Sequence, residues 1–181
     1  IFKRIDLTSR TLISLIEPNS CYAGFLSELI FAADRSYMAE GEFEEYDDKE
    51  ASIILSNSNF GNFLMSNDMS RLDTRFIGSP EQILLAKQNL EKHILAQEAH
   101  DLGLITFKFD DIDWDDEIRV FLEERSSFSP DSMVGLESNL RFPGKETMET
   151  KIFGRLSAWQ NWIFQRPSAV GENGALKKYG T

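Results

Sequence analysis

The sequence predicts an α/β fold, with short strands and packed helices over residues 1–109 and a helical region over residues 110–181. Three observations predict it. Residues 11–38 read as strand, loop, helix, strand, the pattern of a βαβ unit. Short aliphatic runs recur at 51–55 and 104–109, each of a length that suits a buried strand. Beyond residue 110 the apolar residues fall at intervals of three and four, and capping residues sit ahead of them.

Residues 1–10 mix charge with Phe2, Ile5 and Leu7, and suit a helix end packed beside the core. Residues 11–16 (TLISLI) are mostly β-branched and aliphatic and form the first strand. Pro18, Asn19 and Ser20 then break the ladder. Gly24 permits a close approach or an unusual dihedral. From Phe25 the apolar residues Leu26, Leu29, Ile30, Ala32 and Ala33 cover most of a helix surface, and residues 35–38 read as the next strand. Residues 40–50 hold seven acids and one lysine; they read as a solvated loop or, more weakly, as a site for a hard cation. A strand over 51–55 leads into a polar loop with Asn57, Asn59, Gly61 and Asn62, which is either a turn or a presenter of side-chain amides.

Residues 66–76 are expected to be helical. Ser79 is expected to cap a second, longer helix with Pro80 at its first position and Ile83, Leu84, Leu90, Ile94 and Leu95 on its apolar side. That helix would also carry His93, with His100 seven residues on, and two such ligands do not make a metal site. Gly103 fits a helix end before the final strand. The six acids of residues 110–117 suit a helix N-terminus, with Trp114 as a hydrophobic staple. Ser129-Pro130 opens another helix to about residue 140. Residues 144–164 read as one long amphipathic helix, whose aromatic face serves either core packing or a subunit or acyl-pocket contact. Residues 171–181 read as an exposed tail.

The balance of 19 basic and 30 acidic residues leaves a formal charge of −11, which argues against nucleic acid as a partner. No apolar run approaches the roughly 20 residues of a membrane span. One cysteine, Cys21, excludes an internal disulfide framework and fits a reducing cytoplasm.

Glu28 is a carboxylate in an otherwise apolar helix, a costly placement unless it is paired or hydrogen-bonded. It reads either as a general acid or base beside an oxyanion site or as a hydrogen-bonded structural Glu. The helix opening at Gly24 leaves N–H groups that suit a developing oxyanion.

The string GFLSELIFAADRSYM resembles the segment of the enoyl-CoA hydratase/isomerase (crotonase) superfamily that runs from a Gly-rich loop through Glu-Leu to Ala-Ala-Asp. The likeness to the branch of that superfamily that opens the ring in aerobic benzoyl-CoA degradation continues through LSNSNFGNFLMSNDMSRL, DDIDWDDEIRVFLEERSSFSPD and ETMETKIFGRLSAWQNWIFQRPSAVGENGALKKYG. The resemblance implies a partial crotonase-like core over 1–109, an interior-to-C-terminal piece of a longer, dimeric protein, and an acyl-CoA thioester as substrate with no metal or redox cofactor. It implies that 2,3-epoxybenzoyl-CoA is opened with water and that formate is released. Enoyl-CoA hydration or isomerisation of another acyl-CoA, or a non-catalytic module of the same fold, are the alternatives. By the same likeness Phe25 takes the place of the oxyanion glycine, with Gly24, Ala23 and Cys21 alongside in the substrate loop. Glu28 would handle protons or position water. Asn57 falls where many hydratases carry a second catalytic Glu, and would hold a water or a substrate oxygen.

Overall fold

A computed structural model describes residues 1–46, 49–144 and 146–179. The chain forms two compact units, residues 1–7 with 12–116 and residues 8–11 with 117–181.

The first unit is built on a parallel sheet of β1 (Ile13–Ile16), β2 (Arg35–Ala39) and β5 (Phe107–Phe109), in the order β1-β2-β5. Ile13 lies opposite Arg35 and Ile16 opposite Met38, while Tyr37 lies opposite Phe107. The middle strand is almost wholly buried, as a parallel strand covered on both faces should be. Ser36 and Thr106 join β2 to the start of β5: the Thr106 N–H donates to the Ser36 hydroxyl at 3.0 Å, and the Ser36 N–H to the Thr106 hydroxyl at 3.1 Å. A second, two-stranded sheet pairs β3 (Ser52–Ile53) antiparallel with β4 (Ile94–Leu95), Ser52 opposite Leu95 and Ile53 opposite Ile94. Ile16, Ile30, Met38, Ile53, Leu55, Leu72, Ile94 and Leu104 make the core.

Helix α1 (Phe2–Ile5) precedes β1, and α2 (Glu28–Ala32) crosses from β1 to β2. Helix α3 (Arg71–Arg75) is shorter than the expected 66–76. Asp68 adopts a positive φ of 60° and turns the chain, so the helix starts only after Ser70, whose hydroxyl accepts from the Asp73 N–H at 3.0 Å. The next helix, α4 (Glu81–Lys87), is also cut short, and Pro80 rather than Ser79 holds its N-cap position. Glu91, at φ 59°, reverses the chain, and its N–H donates to the Leu55 carbonyl at 2.9 Å. Leu90, Ile94 and Leu95 therefore pair with strand residues instead of lining a helix, and Leu84 is exposed. His93 stands ahead of β4, its Nδ1 2.9 Å from the Ser52 hydroxyl, while His100 sits on α5 (Ala96–Asp101), so the two do not share a helix. The acidic stretch 40–50 includes Asp47 and Asp48, which lie outside the described residues.

Helix α6 (Trp114–Ser127) begins in the first unit. Trp114 is its first residue; the indole is buried edge-on against Phe43, and its N–H donates to Glu17 Oε1 at 3.2 Å. Trp114 thus ties the residues at the start of α6 to the loop after β1, a different job from a staple within the helix. The second unit contains α7 (Pro130–Leu140), capped as expected by Ser129, whose hydroxyl accepts from the Ser132 N–H at 3.3 Å. The expected long helix over 144–164 is broken into α8 (Met148–Lys151), a π-helical turn (Ile152–Leu156) and α9 (Ser157–Ile163); Lys145 lies outside the described residues. The Ser157 hydroxyl donates to the Ile152 carbonyl at 2.9 Å within the wide turn. Much of the apolar face stays uncovered, with Phe153 89% exposed. Trp159 packs on α7 at Gly135 and donates to the Ser138 hydroxyl at 3.0 Å. Short helices α10 (Pro167–Val170) and α11 (Ala175–Lys178) close the chain; Gly180 and Thr181 of the expected tail lie outside the described residues.

Candidate functional site

The loop after β1 delivers the candidate site. Asn19, at φ 65°, turns the chain, and the Glu17 N–H donates to the Ser20 hydroxyl at 3.0 Å. Ala23 then bridges to Ile54 in parallel register. Gly24, at φ +54°, occupies the left-handed region that a side chain disfavours, and opens a 3₁₀ turn (Gly24–Ser27) ahead of α2. Ser27 locks this turn by donating to the Ile54 carbonyl at 3.0 Å. Helix α2 thus starts at Glu28, three residues later than Phe25, because the bridge to Ile54, just past β3, holds the preceding backbone.

Of the two N–H groups expected to face an oxyanion, one is engaged. The Gly24 N–H donates to the Ile54 carbonyl at 2.8 Å. The Phe25 N–H has no acceptor among the described residues, because it lies in the first turn, where intrahelical partners are missing. The Phe25 ring is 53% exposed and meets Phe2 edge-on at 6.5 Å. Cys21 and Ala23 are exposed in the same loop. Half-buried Tyr22 lies between them; burial pushes its hydroxyl pKa up, Cys21 and Glu17 add to the rise, and a hydrogen bond with Ser14 opposes it.

Glu28 is 1% exposed and both of its oxygens are taken. Oε1 accepts from Asn59 Nδ2 at 2.8 Å, and Oε2 accepts from Arg71 Nη1 at 2.7 Å. Arg71, 2% exposed at the start of α3, also grips buried Asp6 with both prongs, Nε to Oδ1 at 3.0 Å and Nη2 to Oδ2 at 2.6 Å. Its Nη1 donates further to the Phe63 carbonyl at 3.0 Å. Two carboxylates thus share one guanidinium, in a planar geometry that arginine alone supplies. Burial raises the Glu28 pKa above its ordinary value; the hydrogen bonds from Asn59 and Arg71 and the Arg71 charge oppose this, and the Asp6 charge adds to it. Glu28 is thus a buried carboxylate paired with Arg71 and hydrogen-bonded by Asn59.

Asn57 and Asn59 share a 3₁₀ turn (Asn57–Asn59) and face opposite ways. Asn57 is exposed, while Asn59 is buried and makes three hydrogen bonds. Its Nδ2 donates to the Gly24 carbonyl at 2.9 Å as well as to Glu28, and its Oδ1 accepts from the Ser56 N–H at 2.9 Å. The structure therefore brings Gly24, Phe25, Glu28 and the Asn57 turn together. Asp6, Arg71 and Asn59 were not legible as members of this group. Arg71 offered one signal, a cation directly after a helix-capping Ser70; nothing local marks it as buried.

Among the described residues, no group of three or more His, Cys, Asp and Glu could hold a metal ion, and no helix is long and apolar enough to cross a membrane.

No protein-family model matches this chain. Enoyl-CoA hydratase from Thermoplasma volcanium superposes with a TM-score of 0.69 at 18% identity, covering 99% of this chain and 64% of that one. AtuE of Pseudomonas aeruginosa gives 0.68 at 18% identity, covering 99% of this chain and 63% of that one. Enoyl-CoA hydratase from Bacillus anthracis gives 0.66 at 17% identity, with 98% and 63% covered. The chain has the crotonase fold. In sequence, this crotonase-fold chain is 51% identical over 178 residues to benzoyl-CoA-dihydrodiol lyase from Aromatoleum evansii. That match covers 98% of this chain and 31% of the relative, so the chain spans about a third of the relative's length.

Proposed function

We propose that this chain carries part of the active site of an acyl-CoA lyase that opens the ring of 2,3-epoxybenzoyl-CoA with water and releases formate. The observation that carries the reading is the Phe25 N–H, left without an acceptor at the mouth of a Gly24-initiated turn in a crotonase fold. A thioester carbonyl placed there gains a hydrogen bond that strengthens as negative charge develops on its oxygen. A second donor would come from residues outside this chain. Asn57, exposed on the adjoining turn, would hold a water or a substrate oxygen, and its amide cannot act as a base at neutral pH. The 51% identity to a benzoyl-CoA-dihydrodiol lyase supports the substrate class. No metal or redox cofactor is invoked, and a homodimer is the expected assembly of the full-length protein.

The test is formate release from 2,3-epoxybenzoyl-CoA by the protein at its full natural length, run beside hydration of a simple enoyl-CoA. Formate release supports the reading. Hydration alone moves the assignment to an enoyl-CoA hydratase, and neither activity in folded protein points to a non-catalytic module.

A further inference from the structure

We propose that the buried chain Asp6–Arg71–Glu28–Asn59 is a positioning device that aims the Phe25 N–H and the Asn57 turn at one substrate, with Glu28 serving as the partner of Arg71 and not as the proton-transfer group. The proposal rests on the thioester reading above and deepens it.

The geometry places a hydrogen-bonded clamp on each side of Phe25. On one side, the Asn59 amide holds the Gly24 carbonyl at 2.9 Å, the carbonyl of the peptide that supplies the Phe25 N–H. On the other, Glu28 lies three residues on, fixed by Asn59 at 2.8 Å and by Arg71 at 2.7 Å. The same Asn59 sits two residues after Asn57, and its Oδ1 fixes the Ser56 N–H that precedes the turn. One side chain therefore couples the oxyanion donor to the turn that presents Asn57. Arg71 is itself immobilised, with Asp6 on two nitrogens and the Phe63 carbonyl on a third contact. Glu28 is 1% exposed, and swinging it out toward a substrate would break its bonds to Arg71 and Asn59, costing each of those buried donors one of its acceptors. The network therefore holds Glu28 in place, and the cost of leaving keeps it there. Small displacements matter at such a site: an error of about 1 Å in a reacting geometry can lower turnover by roughly 10²-fold.

The experiment uses the protein at its full natural length and benzoyl-CoA, a thioester that lacks the epoxide, as probe. The infrared stretch of its ¹³C-labelled carbonyl reports the hydrogen bond without turnover. Wild type should shift the bound carbonyl to lower frequency. Asn59→Ala, or the milder Asn59→Thr where the first fails to fold, should lose that shift. Its kcat should fall by roughly 10- to 100-fold with a much smaller change in KM. In Glu28→Gln the shift and kcat should fall together, and both limbs of the pH–rate profile should stay where they are. A shift retained in the Asn59 variants would overturn the proposal. So would a Glu28→Gln protein that keeps the shift but loses turnover or one limb of the profile, since that is the mark of a proton-transfer group. No shift in wild type with benzoyl-CoA bound would remove the thioester reading itself, and the proposal with it, an outcome distinct from the other two.

Discussion

Replacing Arg71 by methionine is the sharpest test of how this core is held together. The side chain is 2% exposed and makes four hydrogen bonds, two to Asp6, one to Glu28 and one to the Phe63 carbonyl. Methionine fills much of the same space but leaves two buried carboxylates facing each other without a cation. Removing one partner of a buried ion pair typically costs about 3–5 kcal/mol. That is a large share of the roughly 5–15 kcal/mol that stabilises a domain. With a urea dependence of about 2 kcal/mol/M, the midpoint should fall by about 2 M. Urea unfolding followed by circular dichroism at pH 7 measures it. A midpoint within about 0.3 M of wild type would refute the reasoning, because it would mean that the carboxylates do not need the guanidinium. A triple variant adds a control: Asp6→Asn and Glu28→Gln on top of Arg71→Met should recover part of the loss, since no carboxylate is then left uncompensated. No recovery would assign the cost to packing and hydrogen bonds instead of charge.

Three further outcomes are expected. Glu28 has a folded-state pKa raised above its ordinary 4.5, chiefly by burial, so the folded chain holds its proton more tightly than the unfolded one, with Arg71 and Asp6 as the charges facing it. Its contribution to stability should be most favourable below pH 4.5 and decline as pH rises through the folded pKa, and thermal unfolding of wild type and Glu28→Gln from pH 4 to 8 should show that slope removed in the variant. Gly24→Ala should cost about 1–2 kcal/mol, because an alanine at φ +54° is strained, while its Cβ would meet the Ser56 hydroxyl at an ordinary contact distance of 3.4 Å; an unchanged urea midpoint would contradict this. In the second unit, Gly135→Val should destabilise by about 1–3 kcal/mol, since even a Cβ there would come within 2.9 Å of Ile163 Cδ1 on α9; a rise in the melting temperature would show that α9 gives way freely.

Local patterning made much of the frame readable. The strand at residues 13–16, the following strand and the Ser129 cap of α7 are each fixed by a handful of neighbouring residues, through side-chain shape, backbone restriction and capping oxygen. The likeness of GFLSELIFAADRSYM to crotonase-type sequences pointed to the fold that the structural neighbours bear out. Chain reversals defeated the same reasoning. Asp68 and Glu91 carry positive φ angles that their residue types only modestly favour, and each cut an expected helix short: Asp68 within a local turn in which its N–H donates to the Met65 carbonyl, Glu91 by donating to the distant Leu55 carbonyl. Helical spacing over residues 144–164 likewise gave no hint of the π-helical turn.

The sequence by itself marked the strands β1 and β2, the cap of α7, a conformationally permissive Gly24 and a lone carboxylate, Glu28, in an apolar helix. Only the tertiary structure decided what surrounds that carboxylate. Asp6, Asn59 and Arg71 lie 22, 31 and 43 residues from Glu28 in the chain. Nothing local distinguishes them from solvated polar residues until folding removes water from all of them together. The same folding engages the Gly24 N–H with Ile54 and leaves that of Phe25 unclaimed, a choice set by strand pairing across thirty residues and invisible to any local pattern.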